Sequence, residues 1–398
     1  MRKTGVLSYA VAAILIAFLP AFLQRPGQPV RARADRGPAS PYPLVYPAYF
    51  GNRINIRDDN PLTIEGVSLG RKLFYEKRLS ANNTISCGTC HQQQHAFTDG
   101  RPFSPGFDGT PTKRNSMSLA NLLWVRNFFW DGRAGSLEAQ AMIPLTDPHE
   151  MGQSMDSSIR KLRETGSYGP LFAAAFGTDS ITHDHLLQAL TQFERTLISA
   201  NAPYDRYIRG EYPLDPAEKR GLDLFFGNTN AATGVRGGGI ATRSAGISTR
   251  GAGINARSAG CGNCHGGPKT FNETYHNNGL DRVFKDSGRA DVTGMAYDRG
   301  RFRVVTLRNI ALTAPYMHDG RFATLQEVID HYSDHLEPSA TLSPSLKDTA
   351  NVPTRLRLTK EEKNDLLAFL RTLTDTGFVT DPRFSDPFVS TPSNNKIK

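Results

Sequence analysis

All four cysteines of the chain stand in two copies of one short pattern, Cys87-Gly88-Thr89-Cys90-His91 and Cys261-Gly262-Asn263-Cys264-His265. Two cysteines three positions apart lie on one side of a helical turn, so both sulfurs can reach the vinyl groups of one porphyrin. The histidine that follows can then bind the iron. The pattern therefore predicts two covalently attached c-type haems, with His91 and His265 as iron ligands.

Other chemistries of cysteine fit this pattern less well. A structural zinc site needs four ligands close together, whereas these pairs are far apart in the chain and each is joined to its own histidine. A thioredoxin-like redox site requires a surrounding βαβ unit, and neither motif has one. No cysteine remains for a disulfide framework.

The net charge of +9 does not indicate a nucleic-acid-binding protein. The excess of basic residues comes from the segments 1–36 and 228–260, and the rest of the chain has equal numbers of basic and acidic residues. A body with balanced charge offers no basic groove to a phosphate backbone. We therefore expect no nucleic-acid partner.

The N-terminus has the features of an export signal. Two basic residues precede an apolar run at 5–23, and the small-residue sequence Ala32-Arg33-Ala34 follows. This pattern predicts a secretory signal peptide over 1–34, and the run is also long enough to be an uncleaved membrane anchor. In both cases we expect an exported, periplasmic protein that meets the membrane only through this segment. Residues 35–47 are rich in proline and predict an extended linker that does not pack as an element of the fold.

The body of the chain has helical periodicity between long loops rich in glycine and proline. Apolar residues recur at helical spacing within 67–75 and 183–197. Asp215 followed by proline predicts another helix start, and capping boxes at Thr324 and Thr359 predict two more. No alternating strand pattern persists, so we predict an all-α fold with long irregular loops.

Residues 228–260 contain three seven-residue units in tandem, each with one large apolar residue and at least one glycine. Glycine costs about 1 kcal/mol per helical position relative to alanine, which argues against a coiled coil. An odd period also moves the apolar residues from face to face of a strand. We therefore predict a flexible Gly/Arg insertion before Cys261.

Two longer motifs give the chain a family resemblance. They are Trp130-Asp131-Gly132-Arg133 with the nearby Leu137-Glu138-Ala139-Gln140-Ala141, and the run 307–320 that contains Ala314-Pro315-Tyr316-Met317-His318. From about residue 48 to 376 the chain resembles the bacterial dihaem cytochrome c peroxidase/MauG family. The resemblance implies two cytochrome c-like haem domains, at 48–210 and 211–376, and leaves a C-terminal tail at 377–398. The first haem would react with peroxide and the second would relay electrons.

The resemblance also implies which residues act at the peroxide site. Gln140 and Glu150 correspond to residues of the distal pocket, where Glu150 would shuttle a proton. Trp130 corresponds to the tryptophan that carries electrons between the haems, a role compatible with core packing. Trp124 has no such counterpart and is expected in the core.

The same resemblance implies a calcium ion between the two domains. Its ligands would come from Asn115, Thr313 and Pro315. Side-chain and backbone oxygens of this kind suit a hard cation.

Two positions depart from the pattern of many family members. Phe107 replaces the histidine that caps the first iron, so we expect an open first haem that needs no reductive activation. Tyr332 replaces the methionine ligand of the second haem, as in MauG. Because Tyr332 lies on the apolar stripe of its predicted helix, a core tyrosine is the alternative, and Met317 is the rival ligand.

The expected activity is reduction of hydrogen peroxide by electrons from an external donor, either a small redox protein or an oxidisable substrate. Two alternatives remain open. One is a methionine-ligated peroxidase fed by a small cytochrome or cupredoxin, and the other is a non-catalytic dihaem electron carrier. Ala259 replaces a tryptophan that in MauG lies on the path to a protein substrate, which argues against that route here.

Overall fold

The computed structural model of the chain describes residues 39–227 and 258–389. Twelve α-helices lie within these ranges: α1 Ile64–Phe74, α2 Cys87–Cys90, α3 Leu137–Thr146, α4 Met155–Glu164, α5 Gly169–Phe176, α6 His183–Arg195, α7 Pro203–Ile208, α8 Pro216–Phe226, α9 Ala290–Thr293, α10 Leu325–Asp334, α11 Lys360–Arg371 and α12 Thr376–Thr380. In these ranges the β structure is one antiparallel pair of short strands, β1 Tyr275–His276 and β2 Phe302–Arg303, besides isolated bridges. The regular structure is therefore mostly helical, and the prediction of an all-α fold with long loops is confirmed except for this one pair of short strands.

Two helices near the start of the described chain cross closely. The N-caps Thr63 and Thr182 accept hydrogen bonds from Gly66 and His185 and so fix the first turns of α1 and α6. At the crossing, a Cβ on Gly70 would lie 1.9 Å from the carbonyl oxygen of Ala189. Only a residue without a side chain allows this separation, so the glycine sets the contact between the helices.

Helices α8 and α11 repeat this arrangement. Asp215 and Thr359 cap them through capping boxes, so these predicted helix starts are confirmed. A Cβ on Gly221 would lie 1.9 Å from the carbonyl oxygen of Asp365. The same close crossing therefore occurs once in each half of the described chain.

The loops that follow each haem motif are also repeated. Asn121 and Asn309 both have left-handed backbone conformations, with φ of 65° and 63°. Their backbone N–H groups donate to Leu197, just after α6, and to Leu373, just after α11, at 2.8 and 2.9 Å. Each asparagine precedes a 3-10 helix and a short bridge, after which Ser136 caps α3 and Thr324 caps α10. Helices α3 and α10 are thus equivalent elements of the two halves.

Buried apolar residues form two clusters that follow these halves. The larger draws on residues between Phe50 and Leu197, with a few from the C-terminal part. The smaller draws on residues between Tyr204 and Leu373. The domain limits at 210/211 and 376/377 stay predictions.

The described parts of the predicted linker and tail are packed. In residues 39–47, Pro41 bridges to Thr63, and the Tyr46 ring lies edge-on to Trp124 with centroids 5.2 Å apart. The expectation of an unpacked linker is therefore wrong for this part, because its apolar residues find partners on the body. In the predicted tail, Phe378 and Phe384 are buried in the larger cluster.

The remaining segments lie outside the described residues. These are 1–38, which hold the predicted signal or anchor, 228–257, which hold most of the Gly/Arg insertion, and 390–398. Within 39–227 and 258–389, no helix has the length and apolarity needed to cross a bilayer.

Candidate haem sites

The first cysteine motif lies in the wall of a large cavity. Cys87, Cys90 and His91 line it together. The Nδ1 atom of His91 lies 2.8 Å from the carbonyl oxygen of Phe97. A carbonyl can only accept, so Nδ1 carries the proton and the other ring nitrogen, Nε2, is left as a free base. This is the tautomer that binds iron, and the donor set fits a c-type haem.

The predicted distal residues line the same cavity. Gln140 and Pro144 come from α3, and Glu150 follows that helix. Burial raises the pKa of Glu150, and the nearby Asp147 raises it further, while Arg133 opposes them. Glu150 is therefore a buried carboxyl group that holds its proton more firmly than a solvated glutamate does, and it lies where it could exchange a proton with a molecule in the cavity.

Phe107 does not contribute to the wall of the first cavity. Its ring packs against Gly152, where a Cβ would lie 2.3 Å from a ring carbon, and its backbone N–H donates to the Glu150 carbonyl oxygen at 2.8 Å. The ring therefore supports the loop that holds Glu150.

The second cysteine motif lies in the wall of another cavity. Cys261, Cys264 and His265 line it together. The Nδ1 atom of His265 lies 3.2 Å from the carbonyl oxygen of Thr270, which again leaves Nε2 as a free base. Burial lowers the pKa of His265 to about 4, so the ring is neutral at physiological pH. This donor set also fits a c-type haem.

The cysteines are not activated thiolates. Burial raises the pKa of Cys90 to about 11 and that of Cys261 to about 12. A redox-active cysteine needs its thiolate at neutral pH. In addition, no three His, Cys, Asp or Glu side chains of the described ranges gather as a metal-binding group.

Tyr332 and Met317 both line the second cavity, and one amide group contacts both. The Nδ2 atom of Asn278 lies 3.4 Å from the Tyr332 hydroxyl oxygen and 3.4 Å from the Met317 sulfur. Burial raises the pKa of Tyr332 to about 12, so the phenol keeps its proton unless a cation binds the oxygen. His331 fixes Asn278 by a contact of 2.9 Å between its Nε2 and the Asn278 carbonyl oxygen.

The repeated elements place Pro144 and Tyr332 at equivalent positions. Each stands the same number of residues after the N-cap of its helix, α3 or α10, and each lines the cavity of its own half. A proline side chain has no donor atom for iron, whereas a phenol has one. The two cavities therefore differ at the position where a ligand from this helix would enter.

Trp130 and His318 are also equivalent by the repeat, and both line the second cavity. The Arg303 backbone N–H donates to the Trp130 carbonyl oxygen, and the Asn115 N–H donates to the His318 carbonyl oxygen, both at 2.7 Å. The two rings meet edge to face with centroids 6.5 Å apart, and His318 stacks on Phe302. Trp130 lines the second cavity and His318 lines both.

Trp124 is in the core, as predicted. Its side chain is buried, and its Nε1 donates to the Gly51 carbonyl oxygen at 3.0 Å.

Asn115, Thr313 and Pro315, the residues expected to bind calcium, are brought to the wall of the second cavity. The Nδ2 atom of Asn115 donates to the Arg101 carbonyl oxygen at 2.7 Å, which leaves the side-chain oxygen available. The Trp130 Nε1 donates to the Asn115 carbonyl oxygen at 2.9 Å. A hydrogen bond thus connects Asn115, one of the predicted calcium ligands, to the ring of Trp130.

Three residues that matter for the chemistry of the cavities were not predicted from the sequence. Pro144 and Glu194 line the first cavity, and Asn278 lines the second. The position of Pro144 could have been found from a repeat in the sequence. Asp-Gly-Arg followed by a helix cap occurs in both halves, at Asp131 and at Asp319. Aligning these two segments pairs Pro144 with Tyr332. No comparable motif points to Asn278.

Comparison with known proteins identifies relatives that cover most of the chain. A sequence model of the family described as di-haem cytochrome c peroxidase matches residues 64–213. The methylamine utilization protein MauG of Methylorubrum extorquens is 36% identical over 321 residues, which cover 79% of each chain. The cytochrome c551 peroxidase of Nitrosomonas europaea is 30% identical over 352 residues, which cover 85% of this chain and 87% of that protein.

A solved structure is similar as well. It is a MauG-like protein associated with microbial copper homeostasis, with a TM-score of 0.74 and 36% identity, and the match covers 87% of this chain and 100% of that one. The relatives found by sequence and the similar solved structure thus indicate the same family. The chain belongs to the di-haem cytochrome c peroxidase/MauG family of oxidoreductases.

Proposed function

We propose that this protein reduces hydrogen peroxide at the His91 site with electrons that arrive through the His265 site. The observation that carries this proposal is the difference between equivalent positions of α3 and α10. Pro144 leaves the first site without a ligand from α3, whereas Tyr332 offers an oxygen at the second. An open site can bind peroxide and a closed site suits electron transfer.

Covalently bound haems, when present, supply the redox chemistry at both sites. Cys87 and Cys90 would hold the first, with His91 Nε2 as its iron ligand. Cys261, Cys264 and His265 would hold the second in the same way. The hydrogen bonds from Nδ1 to Phe97 and Thr270 keep both imidazoles in the required tautomer.

Glu150 and Gln140 would handle peroxide and its protons. The reaction consumes two electrons and two protons for each peroxide, H2O2 + 2e− + 2H+ → 2H2O, so the O–O bond breaks while two O–H bonds form. Glu150 can accept a proton from one peroxide oxygen and return it to the other. The Gln140 amide can orient the peroxide by hydrogen bonding, because it shares this cavity wall.

At the second site Tyr332 would supply a further ligand to the iron, since it lines the same cavity as His265. A phenolate oxygen is a harder and more electron-rich donor than a thioether, so it would lower the potential of this haem. Met317 is the alternative ligand, since it lies within reach of the same amide group of Asn278. Trp130 would carry electrons between the sites.

The electrons would come from an external donor, either a small redox protein or an oxidisable substrate, outside the cytoplasmic membrane. Calcium at Asn115, Thr313 and Pro315 would hold the segment that contacts Trp130. The alternative function, a non-catalytic electron carrier, requires a sixth ligand at both irons. Pro144 and Phe107 argue against that ligand at the first.

Steady-state reduction of hydrogen peroxide by a reduced small cytochrome tests the proposal. We expect turnover from the fully oxidised protein without a preceding reduction step. A protein that contains both haems but consumes no peroxide, whether or not it is reduced first, would be a carrier.

A further inference from the structure

Glu194 is a buried carboxyl group in the wall of the first cavity that the proposed mechanism does not use. It lies near the C-terminal end of α6, is 5% exposed, and lines the cavity together with Cys87 and Leu190. Its Oε2 atom has no hydrogen-bond partner among the described residues. A buried carboxyl oxygen without a partner is costly, which calls for a physical reason.

The second half of the chain has an apolar residue at the equivalent position. Phe-Glu-Arg-Thr-Leu ends the first helix pair at 193–197, and Phe-Leu-Arg-Thr-Leu ends the second at 369–373. Glu194 therefore corresponds to Leu370, which lines the second cavity. Since the same helix crossing forms with leucine there, packing alone does not require a carboxyl group.

The charged groups around Glu194 do not neutralise it. Arg195 is fully buried and forms an ion pair with Glu138 on α3, with 2.9 Å between its Nη1 and Glu138 Oε1, and neither of its terminal nitrogens makes a hydrogen bond to Glu194. Glu138 itself adds negative charge, and the residues that α1 buries at its crossing with α6 are apolar or glycine. Burial raises the pKa of Glu194 to about 8, with Glu138 raising it further and Arg195 opposing both. The Cys87 sulfur, the other group nearby, would be a neutral thioether once haem is attached.

We propose that Glu194 is a redox-linked proton site of the first haem cavity, which binds a proton when an electron enters and releases it when the electron leaves. The inference rests on the proposed haem at Cys87, Cys90 and His91. In a poorly solvated cavity an added electron is stabilised by a proton taken up nearby. The electron comes from the external donor and the proton from solvent, so the carboxylate becomes a carboxylic acid as the site gains one electron. Two such events supply the two electrons and two protons that one peroxide consumes.

The test is a redox titration of the first haem as a function of pH in the holoprotein. The pKa of Glu194 is lower when the site is oxidised than when it is reduced. Between these two values, each tenfold fall in proton concentration should disfavour reduction tenfold, about 59 mV per pH unit for one electron. Glu194→Gln and Glu194→Leu should both lose this slope, and the leucine variant matches Leu370 of the second half.

Infrared spectroscopy gives a second readout. At pH values below both pKa values of Glu194, the oxidised protein should show the C=O band of its carboxylic acid. This band should be absent in both Glu194 variants and kept in Glu150→Gln. An unchanged slope in Glu194→Leu, or a band that persists in it, would overturn the inference. The proposed function has a separate test, because it is wrong if the first haem does not react with peroxide. The pH dependence of the potential requires only that a haem is bound in this cavity.

Discussion

Replacement of Glu150 by glutamine tests the proton chemistry of the first site. Glutamine keeps the shape and hydrogen-bonding capacity of the side chain but cannot accept a proton. General acid–base catalysis contributes about 10²–10⁴-fold to a rate, so we expect kcat/KM for peroxide to fall by that factor. The haem content should not change, because Glu150 lies on a loop after α3 and not in the haem motif.

The pH dependence of kcat/KM for peroxide is a second readout of the role of Glu150. Burial and Asp147 raise the pKa of Glu150, and the group must be unprotonated to accept a proton from peroxide. Below this pKa the carboxyl is blocked, so kcat/KM should rise with pH and level off above it. The rising limb should disappear in Glu150→Gln.

Asp147→Asn is the matched control for this prediction. It removes the charge that raises the pKa of Glu150, so the rising limb should move to lower pH while the maximal rate stays close to that of the wild type. Stopped-flow mixing with peroxide at several pH values measures both effects. If Glu150→Gln reacts within a few-fold of the wild-type rate and keeps the rising limb, the assignment of Glu150 is wrong.

Three further predictions concern the second haem site, the crossing of α8 and α11, and the proposed calcium site. Tyr332→Phe should raise the potential of the second haem, because the Met317 sulfur can then take the ligand position; an unchanged low-spin spectrum would show that Tyr332 is not the ligand. Gly221→Ala should lower the free energy of unfolding, measured by denaturant titration, by about 1–3 kcal/mol, because the added Cβ would lie 1.9 Å from a backbone carbonyl oxygen. Gly135→Ala is the control and should have little effect, because a Cβ at that position would meet open space. A calcium chelator should slow turnover, and in Asn115→Ala added calcium should no longer restore it.

The sequence predicted the parts of the sites that depend on local spacing. Each Cys-x-x-Cys-His motif brings its three residues to one cavity because they lie within a single turn. The caps at Asp215, Thr324 and Thr359 begin helices because the capping side chain and its partner are close in sequence. The gathering of Gln140 and Glu150 at the first cavity came from the family resemblance, since no local rule joins a helix to the loop beyond it.

Contacts between distant segments were not predictable in this way. Glu194 was not singled out from the sequence, and its position in the wall of the cavity shows that its carboxyl group is buried there. Asn278 lies in a loop without periodicity, and its two contacts depend on how that loop meets α10. Residues 39–47 were expected to stay apart because proline favours extended chain, yet an extended segment can still pack when it carries Leu44 and Tyr46.

The most direct test of an open first site and a closed second site is low-temperature EPR of the fully oxidised holoprotein, before and after addition of peroxide. We expect one high-spin and one low-spin ferric haem, with loss of the high-spin signal on addition of peroxide. Two low-spin haems that do not respond to peroxide would contradict it, since they would require a sixth ligand at the first iron despite Pro144 and Phe107.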